Sequence, residues 1–218
     1  MKNFLVFLCS ILFILGTVGV CGAIPFHGVE FPDGAVSFAD SVVSYNPSGS
    51  VSDTYDNPEE ALGIPDYTEG SGVDFVSLGD LGELVLQFTD NSLTTSGDDS
   101  IDLWIFEIGA AIEPTDVFIS TNGSDWISVG ETSGATSGVD IDAYIGSGVV
   151  LWEQYSYVKI ADLLPHQSGY PYEGADIDAV GAISSAPPVD PIPEPATMLL
   201  LGSGLIGLAG VGRKKFRK

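Results

Sequence analysis

Residues 117–130 read VFISTNGSDWISVG, and the fold class turns on this run. Two segments rich in β-branched and aromatic residues, DVFIS (116–120) and WISVG (126–130), flank the turn signal NGSD. Such a pattern is a β-hairpin. Working outward, five more runs have the same character: VDFVSL (73–78), ELVLQF (83–88), IDLWIFEI (101–108), YSYVKIA (155–161) and IDAVGAI (177–183). In ELVLQF, Leu84, Leu86 and Phe88 share one face. In YSYVKIA, Val158 and Ile160 oppose Tyr155, Tyr157, Lys159 and Ala161. The turn signals GDLG, TSGDDS and SGATSG separate the runs, and helix is expected only around Pro58 to Leu62. Short, regularly spaced strands with Gly-rich turns predict an all-β sandwich over residues 24–183.

Composition bounds what this domain can do. The chain carries 30 Asp and Glu against 7 Lys and Arg. Lys159 is the sole basic residue between Ile24 and Pro193, while every carboxylate lies between Glu30 and Glu194. A body this acidic is excluded from binding nucleic acid directly, because phosphate contact needs Lys and Arg. It is open to cations, and salt or bound ions must screen its self-repulsion. Cys9 and Cys21 precede residue 24, so the body has neither a disulfide nor a thiolate metal site.

The two ends are of another kind. Lys2, the apolar run Phe4–Leu15 and the small residues up to Ala23 form a signal peptide (1–23), cut by signal peptidase after Ala23. Cys21 leaves a lipoprotein signal open as the competing reading, although Val20 stands where such a signal wants a small residue. At the far end, Ser184 to Ile192 (SSAPPVDPI) reads as a stiff Pro-rich spacer. Residues 196–212 carry no charge and are long enough for a short transmembrane helix. Arg213, Lys214, Lys215, Arg217 and Lys218 follow, which places the tail in the cytoplasm and the body outside. Pro193 and Pro195 keep Glu194 in an extended segment at the membrane edge. GSGLIG fits GxGxxG, but within an apolar span it is not a dinucleotide site.

The tail PEPATMLLLGSGLIGLAG with RKKFRK (193–218) resembles a PEP-CTERM sorting signal of exported Gram-negative proteins. That resemblance implies an exosortase as partner, with Pro193, Glu194 and Pro195 as its substrate. It also implies transient anchoring in the inner membrane, then delivery to the cell surface or an exopolysaccharide matrix. A plain C-terminal anchor is the alternative. The pieces ALGIPD, FVSLGDLGELVLQFTD, DLWIFEIG, VFISTNGSDWISVG, YVKIADL and GADIDAV resemble a galactose-binding-like, discoidin-type jelly roll over about Tyr45 to Ser184. This second resemblance implies a binding or structural role and places the Trp126 side chain in the core.

Candidate chemistry follows from the carboxylates and aromatics. Ca2+ takes six to eight oxygen ligands. By the discoidin resemblance, a structural calcium would lie where an early loop meets the last strand, held by Asp56, Glu60, Asp176 and Asp178. Asp98, Asp99 and Asp102 form another acidic turn, and VDIDAYIG (139–146) falls short of an EF-hand. Glu107, inside an apolar strand, reads first as a satisfied core or rim carboxylate, with a raised pKa or metal ligation as the alternative. Tyr170, Tyr172 and Glu173 in HQSGYPYEG could offer a sugar a stacking surface with acceptors. Catalysis is not expected. The alternative is a secreted carbohydrate-active enzyme, which would need two opposed carboxylates.

Overall fold

A computed structural model describes residues 24–70, 73–108, 113–163 and 173–188. Its strands are β1 (Ile24–Phe26), β2 (Val29–Phe31), β3 (Ser41–Asn46), β4 (Val76–Ser77), β5 (Glu83–Gln87), β6 (Ser92–Leu93), β7 (Leu103–Glu107), β8 (Thr115–Ser120), β9 (Ile127–Thr132), β10 (Thr136–Val139), β11 (Tyr157–Asp162), β12 (Asp176–Ala182) and β13 (Ser185–Ala186). Each of the seven expected runs contains a strand. The helix expected around Pro58 is the 3-10 turn Pro58–Ala61, entered through Pro58 and capped by Asn57, whose side chain accepts from the Glu59 amide. Among the described residues there is no α-helix, and no helix is long and apolar enough to cross a membrane.

Two antiparallel sheets make the body. One has the order β10-β7-β12-β4 and the other β3-β5-β11-β8-β9. Leu84, Leu86, Val117, Ile119, Val158 and Ile160 from the five-stranded sheet meet Leu103, Ile105, Ile177 and Val180 from the four-stranded one in a single buried cluster. Each such side chain contributes about 1.5–3 kcal/mol by leaving water. The alternation read in ELVLQF and YSYVKIA thus fixes which face of each strand is buried.

A second cluster lies on the other face of the four-stranded sheet. The β1–β2 hairpin and the segment after it place Phe31 and Phe38 against Phe106 and Ala179, with Phe26 and Trp104 at the margin. Phe38 forms a bridge to Gly181, and the Ala39 amide donates to the Val180 carbonyl at 3.0 Å. Only glycine fits at 181, because a Cβ there would lie 2.7 Å from the Phe31 ring and 2.9 Å from that of Phe38. This explains why every residue of β12 is buried, whereas strands of the five-stranded sheet such as β11 alternate between buried and half-exposed residues.

The hairpin quoted at the outset is β8–β9. Ser120 Oγ accepts from the Gly123 amide at 3.0 Å, and Asn122 Oδ1 accepts from the Ser124 and Asp125 amides, both at 2.9 Å. Side chains thereby close the turn, and Gly123 supplies the positive φ it requires. Trp126 departs from expectation: it is half-buried on the outer face rather than in the core. Phe118 pairs with Ser128 and Ile119 with Ile127 across the ladder. The parity that sends Ile119 inward therefore sends Trp126 outward beside Phe118. Lys159 Nζ lies 4.3 Å from the Phe118 ring centroid and 5.5 Å from that of Trp126.

Residue contacts divide the chain into Met1–Pro188 and Val189–Lys218. The domain runs past its expected end at 183. Ser185–Ala186 pairs with β6, and the Pro187 carbonyl accepts from Ser92 Oγ at 3.0 Å and Gln154 Nε2 at 2.9 Å. The first residues of the expected spacer are therefore part of the fold.

Candidate functional site

Three buried carboxylates gather where β7 ends and β12 begins. Glu107 closes β7, Asp176 opens β12, and Glu113 returns the chain toward β8. The ladder pairs Ile177 with Glu107, and the Ile108 amide donates to the Asp176 carbonyl at 2.9 Å. Glu107 is 3% exposed, and neither of its carboxylate oxygens meets a donor in good hydrogen-bond geometry, the Asp176 backbone amide being the one that approaches it. Burial pushes its pKa up to about 8, with Glu113 and Asp176 adding repulsion. Asp176 accepts the Ser77 hydroxyl. Burial raises it to about 7, against the lowering effect of that bond and with repulsion from Glu113. The Tyr45 hydroxyl donates to the Ser77 carbonyl at 2.7 Å. Its pKa is raised by burial, then by Asp56 and Asp176. At neutral pH this arrangement holds protons on carboxyl groups that water barely reaches.

Of the residues expected to hold calcium, Asp56 and Asp176 both act electrostatically on the Tyr45 hydroxyl, while Glu60 and Asp178 are hydrogen-bonded elsewhere. Glu60 accepts from Asn57 Nδ2 at 2.8 Å within its own turn. A register shift between Ile177 and Ala179 interrupts the strand at Asp178, whose Oδ1 accepts from the Asp66 and Tyr67 amides at 3.2 and 3.3 Å. Burial raises Asp178 to about 7, and those two amides oppose the shift. No three of Asp56, Glu60, Asp176 and Asp178 bring a ligand atom each within 4.8 Å of one another. Among the described residues Asp102, Asp140 and Asp142 do. Asp98 instead turns back on its own loop, accepting from the Ser100 amide at 2.9 Å.

The sequence singled out Asp102 but missed its partners, because they come from a separate turn. Asp140 and Asp142 stand two apart in VDIDAYIG, where the EF-hand pattern fails for want of a third acid. The fold brings a third acid beside them, Asp102, from the residue just before β7. Glu113 was missed because nothing in AAIEPT sets it apart.

For sugar chemistry, Glu173 Oε2 accepts from the Ser50 amide at 2.8 Å and so pins the 48–50 loop. Tyr170, Tyr172 and His166 lie outside the described residues. A separate open groove of about 280 Å3 is lined by Trp126, Asn122, Asp125, Ile127, Val150 and Glu153. It combines an indole with two carboxylates, groups of the kind that recognise a pyranose, while the Asn122 amide is spent within its own turn, Nδ2 donating to Asp125 Oδ2 at 2.8 Å. Nearby, Trp152 is 62% exposed. Its left-handed backbone (φ 64°) is held by a bond from its amide to Thr95 Oγ1 at 2.9 Å.

The signal peptide, Pro193, Glu194, Pro195, the 196–212 span and the basic cluster Arg213, Lys214, Lys215, Arg217 and Lys218 also lie outside the described residues. No curated protein matches the chain. Residues 191–214 match the PEP-CTERM protein-sorting motif, so the chain carries the sorting signal of an exported Gram-negative protein processed by an exosortase.

Proposed function

We propose that this is a cell-surface or extracellular-matrix protein whose β-sandwich body is a non-catalytic module of galactose-binding-like, jelly-roll type. The 196–212 segment holds it transiently in the inner membrane. An exosortase then acts at Pro193–Pro195, and the freed body binds calcium or polysaccharide, or builds the matrix directly. The observation that carries this reading is the sorting motif at 191–214. Its geography agrees with the charge distribution, in which the acidic body is separated from a basic tail that stays in the cytoplasm. The groove beside Trp126 supports a polysaccharide role. Glu107 and Asp176, at 3% and 6% exposure, are too deeply buried to flank a glycosidic bond.

The test is intact-mass analysis of the full chain expressed in a Gram-negative host with and without its exosortase. We expect loss of the basic tail only when the exosortase is present, and retention of the tail in Glu194→Ala. A tail that persists beside an active exosortase refutes the sorting route. A polysaccharide screen addresses the body: saturable binding without turnover is expected, and turnover would establish an enzyme instead.

A further inference from the structure

We propose that Asp102, Asp140 and Asp142 form a calcium site that ties together the ends of β7 and β10 and the 96–97 loop. This inference deepens the cation-binding part of the reading above and does not depend on sorting.

Asp102 immediately precedes β7, and the register that pairs Val139 with Leu103 brings Asp140 beside it at the end of the β10–β7 ladder. The backbone of Asp102 is held on both sides. Its amide donates to the Val139 carbonyl at 3.0 Å, and its carbonyl accepts from the Ile183 amide at 2.7 Å. Its Oδ2 accepts from the Ile141 amide at 2.9 Å, between the other two acids. Asp142 Oδ2 accepts from the Ser96 and Gly97 amides at 2.9 and 3.2 Å and from Ser96 Oγ at 3.1 Å. One oxygen from each carboxylate lies within 4.8 Å of the others. Oxygens ringing one Ca2+ at about 2.3–2.6 Å lie at most about 5 Å apart, so the three fit a single ion.

A second observation separates this group from an ordinary acidic turn. Asp102 has no exposed surface, yet its Oδ1 has no donor in good hydrogen-bond geometry, although the Ser184 and Ser96 hydroxyls lie beside the carboxylate. Asp140 occupies the N-cap of the 3-10 turn Ile141–Tyr144 but makes no capping bond, and its Oδ1 is likewise buried without a partner. Two carboxylate oxygens are thus withdrawn from water without a well-formed hydrogen bond, a costly arrangement that a cation in the gap would relieve. The protein cannot supply that cation. Lys159 is the sole Lys or Arg among the described residues, and it lies on the outer face of the other sheet, 3.6 Å from Glu83. An all-oxygen donor set with half-buried Asp140 and Asp142 as the entry suits a hard ion, with waters completing its shell.

The test uses the full-length protein in detergent, stripped with EGTA and titrated with CaCl2 at constant ionic strength, read by calorimetry and by Tm. We expect saturable binding and a Tm increase of roughly 5–10 °C at calcium about a hundredfold above Kd. Asp140→Asn, which loses no hydrogen bond, should lower the stoichiometry by one and abolish most of the shift. Asp142→Asn, whose amide oxygen still accepts from Ser96 and Gly97, should do the same if Asp140→Asn folds poorly. Asp176→Asn should keep the full shift. Absence of saturable binding at millimolar calcium, or a wild-type shift in both Asp140→Asn and Asp142→Asn, overturns the assignment. Neither outcome bears on whether the exosortase cuts the tail.

Discussion

Glu107 predicts that the body loses stability as pH rises through the neutral range, opposite to the usual behaviour of a salt-bridged carboxylate. In the folded state its pKa is about 8, against an ordinary value of 4.5. The unfolded chain therefore releases this proton first. Below about pH 4.5 both states hold it and it has no effect. Between there and about pH 8 the unfolded state binds fewer protons, so each pH unit costs the fold up to about 1.4 kcal/mol. By pH 7 the loss from this residue is about 3 kcal/mol, and by pH 8 it is about 4 kcal/mol. The shift comes first from burial at 3% exposure and then from Glu113 and Asp176. Glu107→Gln removes the titration while keeping the shape. Urea unfolding of the wild type and this variant at pH 5, 6, 7 and 8 is the assay. The variant should match the wild type at pH 5 within about 1 kcal/mol and exceed it by about 3 kcal/mol at pH 7. It should retain a residual slope from Asp176 and Asp178, both raised to about 7. A wild-type stability that is flat from pH 5 to 8, or an unchanged slope in Glu107→Gln, refutes the reasoning.

Other outcomes follow from packing and charge. Gly181→Ala drives a Cβ into the Phe31 and Phe38 rings and should cost about 1–3 kcal/mol in chemical denaturation. Phe38→Ala empties a fully buried position beneath the same hairpin and should cost about 3–5 kcal/mol, read as a lower urea midpoint with unchanged slope. Since one Lys faces an excess of carboxylates in the body, Tm should rise with NaCl up to a few tenths molar as repulsion is screened. Lys159→Met should lower stability by about 1 kcal/mol through loss of its position over Phe118 and its pair with Glu83.

How much of this was legible in the sequence depended on burial. Strands with a clean two-residue alternation, β5 and β11 above all, could be read directly, because one face meets the core and the other does not. β3 could not: SVVSYN has no fully buried residue and serves as the edge of its sheet. β1 and β2 were hidden for another reason, since three-residue strands make sense only against the outer face of β12, which the chain reaches some 150 residues later. The misplacement of Trp126 came from a motif read without its register. The cation site shows the same limit, because Asp102 and Asp140 meet only through the β7–β10 pairing. The tail needed no fold, since its three parts are contiguous.

The contact between the first strands and the last long one sets a rule for export. Phe31 and Phe38 lie near the amino end of the body, but the glycine they rest on, Gly181, lies near its carboxyl end. A chain threaded outward from its amino end cannot complete this domain until almost all of it has crossed. On such a route the body would remain an unfolded, threadable polymer for nearly the whole passage. On the export route proposed above it would close only as the segment leading to the sorting motif reached the membrane, so that maturation of the fold and presentation of the cleavage signal would fall in the same short interval.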